Sequence, residues 1–176
     1  MVYARGDPHF EGLLSTHAPA DDDYVLVLDA DLAFVDSAGN RVIAHRGLET
    51  DGASVRALMN IPVIGILTRI VLRGDPFSGP FRWAAVIHDD GYARATDTSW
   101  WAALWSGDRA TADRRIREGA MAKYALIAGI KVRRTPAQPW RAWTVWALLR
   151  IFGATAWLDD SRASRSLSHC GPDDTE

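Results

Sequence analysis

The segment that most restricts how this chain can fold is "AAVIHDDGY", Ala84 to Tyr92. Its apolar residues follow a helical pattern, yet His88, Asp89, Asp90 and Tyr92 crowd around a single glycine. On a helical wheel His88 and Tyr92 lie four apart and share a face, with Asp89 at its edge. Ala84 and Ala85 fill the preceding turn and are small. The spacing therefore predicts polar side chains on a helix face cleared of bulk, with Trp83, Val86 and Ile87 left for packing. Polar groups on such a face need partners from another element, because an unpaired buried carboxylate is costly.

The next helical pattern offers a partner. It begins near "SGDRATAD", with Asp108 and Thr111 as candidate caps, and its spacing is expected to run to about Gly129. Asp113, Ile116, Ala120, Tyr124 and Ile127 fall on one face, so Asp113 heads an inward stripe. Two antiparallel helices would then satisfy each other, with Asp113 orienting His88 and fixing its tautomer. The second ring nitrogen would be free to take a proton from water, and Asp89 would be free for a metal. The competing reading is a structural polar pair with no chemistry.

The rest of the chain frames these helices. Tyr24–Leu28, Leu32–Val35 and "RVIA" around the turn "DSAGN" read as strands in a meander or hairpin. No structure is assigned to the first twenty residues. "HRGLETDGASV" reads as a loop. Helical patterns follow from Ala57, from Phe81 to Ala95, and from Pro139 to Phe152, with "RRTPAQP" as a linker and a polar tail after Asp160. Strands first and helices after predict an α+β fold. One domain over residues 1–160 and a disordered tail over 161–176 are expected.

Composition narrows the function classes. The net charge of −2 argues against a nucleic-acid binder that works by phosphate neutralisation. Arg114, Arg115 and Arg117 then read as a solvated helix face. The single cysteine, Cys170, excludes an intrachain disulfide framework. The N-terminus has no signal-peptide pattern, and "IPVIGIL" and "WTVWALL" are too short to span a bilayer. A bacterial cytoplasmic or virion location is expected. Eight tryptophans are many for 176 residues. Trp100, Trp101 and Trp105 form a candidate lipid-surface patch, whereas Trp143 and Trp146 at helical spacing read as core.

Four motifs in order carry a family resemblance: "TDGASV", "AAVIHDDGY", "ADRRIREGAM" and "VWALLRIFGATAW", between Val42 and Trp157. They resemble the phage and bacterial family catalogued as domain of unknown function 1353. Arg56 stands where that family usually has proline, and Met121 falls one place late. The family name implies no activity, but it implies a phage or prophage setting and other phage proteins as partners.

"HDDGY" is also similar to the His-Asp-x-x-Tyr signature of secreted phospholipases A2. That similarity implies His88 as the base, Asp113 as the orienting carboxylate and Tyr92 as its support. It implies Asp89 as a calcium ligand, completed by a glycine loop for which Asp51 and Gly52 of "TDGAS" are the candidates. The ion would polarise an ester carbonyl. The expectation is a calcium-dependent acyl-ester hydrolase. The alternatives are a non-catalytic phage structural, tail-associated or assembly protein, and a metal-dependent phosphohydrolase with His45 as a further ligand.

Overall fold

The computed structural model describes residues 6–18, 25–50, 62–72, 79–94 and 107–154. Among these the fold is α+β, as expected, with N-terminal strands followed by a mainly helical part. The strands are β1 (His9–Glu11), β2 (Thr16–His17), β3 (Leu26–Leu28), β4 (Leu32–Val35), β5 (Arg41–Ala44), β6 (Glu49–Thr50), β7 (Tyr124–Ile127) and β8 (Ile130–Arg133). The helices are α1 (Pro62–Leu72), α2 (Phe81–Ala93), α3 (Gly107–Met121) and α4 (Pro139–Phe152).

One sheet has the order β5-β4-β1-β7-β8, and a second has the order β2-β3-β6. The β4–β5 hairpin matches the pattern around "DSAGN". Asp36 closes its turn by accepting the backbone N–H groups of Ala38 and Asn40. The expected meander does not extend to β3, which pairs with β2 and β6 in the other sheet.

Three expectations need correction. The unassigned first twenty residues supply β1, the central strand of the larger sheet, antiparallel to β4 and parallel to β7. "HRGLETDGASV" is not wholly loop, since Glu49–Thr50 pairs with β3. The helix expected to reach Gly129 ends at Met121, and its place is taken by the β7–β8 hairpin. Positive φ at both Ala128 and Gly129 makes the tight turn that a two-residue hairpin needs.

The core lies between the larger sheet and α2 and α3. Phe10 of β1 is fully buried against Phe34 and Trp83, at ring separations of 4.9 and 5.3 Å. Burying a side chain of that size contributes about 2–3 kcal/mol. Ala84 and Gly119 face each other there: a Cβ on Gly119 would lie 3.0 Å from that of Ala84. A Cβ on Gly91 would lie 2.9 Å from that of Ala112. The pairs 84–119 and 91–112 run in opposite directions, so α2 and α3 are antiparallel, and small residues set their close approach. Ala84 therefore admits the neighbouring helix instead of clearing a wall for a ligand.

The arginine cluster of α3 is also not a solvated face. Arg114 and Arg115 approach the buried carboxylate of Asp36, at 3.5 and 3.6 Å. Arg117 lies over the Trp143 ring at 4.0 Å. Trp143, expected in the core, is 49% exposed and packs edge-on against Trp146.

Candidate functional site

The site forms where α2 and α3 cross-satisfy their polar residues. His88 and Asp113 are fully buried, one from each helix. His88 Nε2 lies 3.0 Å from Asp113 Oδ1. The Tyr92 hydroxyl donates to the same oxygen at 2.8 Å. One turn of α2 therefore delivers two donors to one acceptor, as the four-residue spacing of His88 and Tyr92 predicts. The two rings stack obliquely, with centroids 4.0 Å apart.

The other carboxylate oxygen of Asp113 faces cations. Arg150 of α4 donates to Oδ2 at 3.1 Å, and Arg109 Nε lies 3.7 Å from it. Arg109 is itself fully buried and also donates to the carbonyls of Leu149 and Arg150 at the end of α4. Burial pushes the Asp113 carboxyl up, but His88, Tyr92 and Arg109 outweigh it and hold it below the ordinary carboxylate range. Burial, aided by the charge on Asp113, raises the Tyr92 phenol well above its usual value, so it stays a neutral donor.

His88 Nδ1 is not open to water. It faces Asp89 Oδ1 at 3.2 Å, and the imidazole has no exposed surface. Burial alone would lower the pKa of His88. The hydrogen bonds and charges of Asp113 and Asp89 win, and the group is pushed up to about 9. At neutral pH both ring nitrogens carry protons and both donate. Asp89 is likewise not free: its Oδ2 accepts the hydroxyl of Thr50 at the end of β6. This corrects two expectations, a water-facing ring nitrogen and an unengaged Asp89. The physical cause is the same in both cases, a buried charge that recruits every nearby partner.

Thr50 immediately precedes Asp51 and Gly52, so the chain enters "TDGAS" from a residue bonded to Asp89. Asp51 and Gly52 themselves lie outside the described residues, as do Trp100, Trp101 and Trp105. Asp89 and Thr50 offer oxygen donors, the type calcium takes, and the rest of its usual six to eight ligands would come from backbone carbonyls and water. Among the described residues no three His, Cys, Asp or Glu side chains gather to hold a metal. His45 is distant in role: its exposed ring pairs with Asp31 at 3.3 Å.

Three participants were missed at the sequence level. Arg109 was detectable, because it precedes Asp113 by four residues on the same helix face. Thr50 opens "TDGAS" and Arg150 lies in "VWALLRIFGATAW", but neither spacing shows that β6 and α4 bring them to this cluster. Comparison with protein-family models, curated proteins and solved structures finds no match to this chain. No helix among the described residues is long and apolar enough to cross a membrane.

Proposed function

We propose that this chain is an acyl-ester hydrolase in which His88 carries the proton, Asp113 orients it and Tyr92 supports Asp113. One observation carries the reading: His88 Nε2 and the Tyr92 hydroxyl meet a single oxygen of a buried carboxylate on the antiparallel helix. That is the relation implied by the similarity of "HDDGY" to secreted phospholipases A2. The chemistry has one requirement. An imidazolium cannot accept a proton, so His88 becomes a base only when Asp89 leaves Nδ1 and the proton there is lost. A water at Nδ1 would then give its proton to the ring while its oxygen attacks the ester carbonyl carbon. The same proton would pass to the departing alkoxide as the carbon–oxygen bond breaks. Asp113 and Tyr92 would hold the ring in place throughout. Calcium enters the proposal at Asp89, with Asp51 and Gly52, but the proton path needs no ion. Phospholipid surfaces are the proposed partner, and half-exposed Trp140 and Trp143 would suit such an interface.

A second reading is supported by the complete burial of His88 and Asp113. In it the cluster is a polar staple in a non-catalytic phage structural or assembly protein, consistent with the resemblance to domain of unknown function 1353. One assay separates the two. Fatty-acid release from phosphatidylcholine–phosphatidylglycerol liposomes is measured with calcium and with chelator, for the wild type and for His88→Gln. The hydrolase reading expects release that falls by about 10²–10⁴-fold in a folded His88→Gln variant. No release from folded wild type at any calcium level, or release unaffected by the substitution, overturns it and leaves the staple.

A further inference from the structure

Away from the His88 cluster, a cavity of about 640 Å³ opens between the start of α2, the β7–β8 hairpin and the start of α4. Its walls combine two kinds of surface. Leu13, Leu72, Trp83, Ile127 and Val132 are apolar. Arg133, Arg134 and Arg141 are cationic, and among the described residues no acidic side chain lines the space. Gln138, which precedes α4, lies there too and makes no side-chain cap bond to the helix.

Arg134 donates to the carbonyls of Pro80, Gly119 and Ala122 and lies over the rings of Phe10 and Trp83. It forms no ion pair with a described carboxylate. Burial alone pushes its guanidinium down to about 10, with no carboxylate to offset that. Arg141, 6% exposed, donates to the carbonyl of Val71. Helix-end carbonyls carry only about half an elementary charge, so the bonds of Arg134 to Gly119 and Ala122 satisfy its donors without neutralising its charge. Arg133 is exposed and has no ion-pair partner among the described residues.

We propose that this cavity binds an amphiphilic anion, a carboxylate or phosphate ester head carried on an alkyl or aryl body. Guanidinium groups match the planar oxygens of such heads. The volume fits a ligand of that size, since small-molecule sites span about 300–1,000 Å³. Trp83 and the aliphatic wall would cover the body of the ligand, and Arg133 would meet its head at the rim. The site is independent of the hydrolase reading.

Calorimetric titration of the full chain tests it with decanoate, decyl phosphate, decanol and inorganic phosphate. Decanoate or decyl phosphate should bind at least about tenfold more tightly than either decanol or inorganic phosphate, because only they engage both surfaces. Whichever of the two binds more tightly identifies the head group. Reversing the exposed charge with Arg133→Glu should weaken that binding by about tenfold without altering thermal unfolding. Trp83→Leu should weaken it too and leave the salt dependence unchanged. Absence of binding, decanol binding as well as the anions, or affinity indifferent to Arg133→Glu would each overturn the proposal.

Discussion

At His88, burial and charge act in opposite directions. Removing the ring from water disfavours the imidazolium, and two carboxylates restore it with a surplus, placing its pKa near 9 against an ordinary 6.5. A group whose pKa rises on folding stabilises the protein most below its unfolded value. His88 therefore contributes fully below about pH 6.5, and the contribution is lost as pH rises through 9. Its size is about 3 kcal/mol at most. Asp113 works with the opposite sign. Its lowered pKa adds stability above its ordinary 3.8, and that is lost on acidification. Wild-type unfolding free energy, measured by urea titration, should hold a plateau between about pH 4 and 6.5. It should then fall towards pH 9.5. In His88→Gln the alkaline fall should flatten. An equal alkaline fall in both proteins would show that His88 is not the titrating group.

The pairing of α2 with α3 depends on small residues as much as on the polar bridge. Gly91 and Gly119 lie where a methyl group would meet Ala112 and Ala84 at 2.9 and 3.0 Å. In an exposed helix interior, glycine to alanine gains up to about 1 kcal/mol. Here overpacking should win, because the contacts are to atoms fixed on the facing helix. Gly91→Ala and Gly119→Ala should each destabilise the fold by about 1–2 kcal/mol net, read from thermal melts. Melting points raised by either substitution would mean that the helices are not this close. The helices themselves were legible, because "AAVIHDDGY" and "ADRRIREGAM" keep the period of an α-helix. The end of α3 was not. Tyr124 and Ile127 continue its wheel by coincidence of spacing. The β-branched residues of "IKVR" and the turn at Ala128–Gly129 win those positions for a hairpin. β1 was harder still. It is three residues long, and it pairs in parallel with a strand whose Ala125 meets Phe10 across most of the chain. Nothing local marks it.

Across the described residues, buried or part-buried guanidinium groups reach helix ends that belong to other elements. Arg109 of α3 caps α4 through the Leu149 and Arg150 carbonyls. Arg134, just after β8, caps α3 through Gly119 and Ala122. Arg141 of α4 caps α1 through Val71. These long-range bonds add to local ones, such as Gly153 N–H to the Leu149 carbonyl and Ala122 N–H to the Gly119 carbonyl, and set a cation at the negative helix pole. The first of these caps also faces Asp113, so the site is tied to the docking of α4. Such links explain how far the site was readable. The His88–Asp113–Tyr92 relation follows from two helical wheels and the demand that a buried acid be paired. The enclosure of Nδ1 by Asp89, Thr50 at that same carboxylate, and Arg150 on Asp113 depend on how whole elements come together.

At His88 a buried imidazolium is shared between a carboxylate of its own helix and one of the antiparallel helix. A pH titration of ¹⁵N-histidine-labelled protein tests it most directly, with the His88 signals assigned by their loss in His88→Gln. Doubly protonated ring nitrogens at pH 7 and a midpoint near 9 are the predicted result. A neutral ring at pH 7, with a midpoint at or below 6.5, would contradict it.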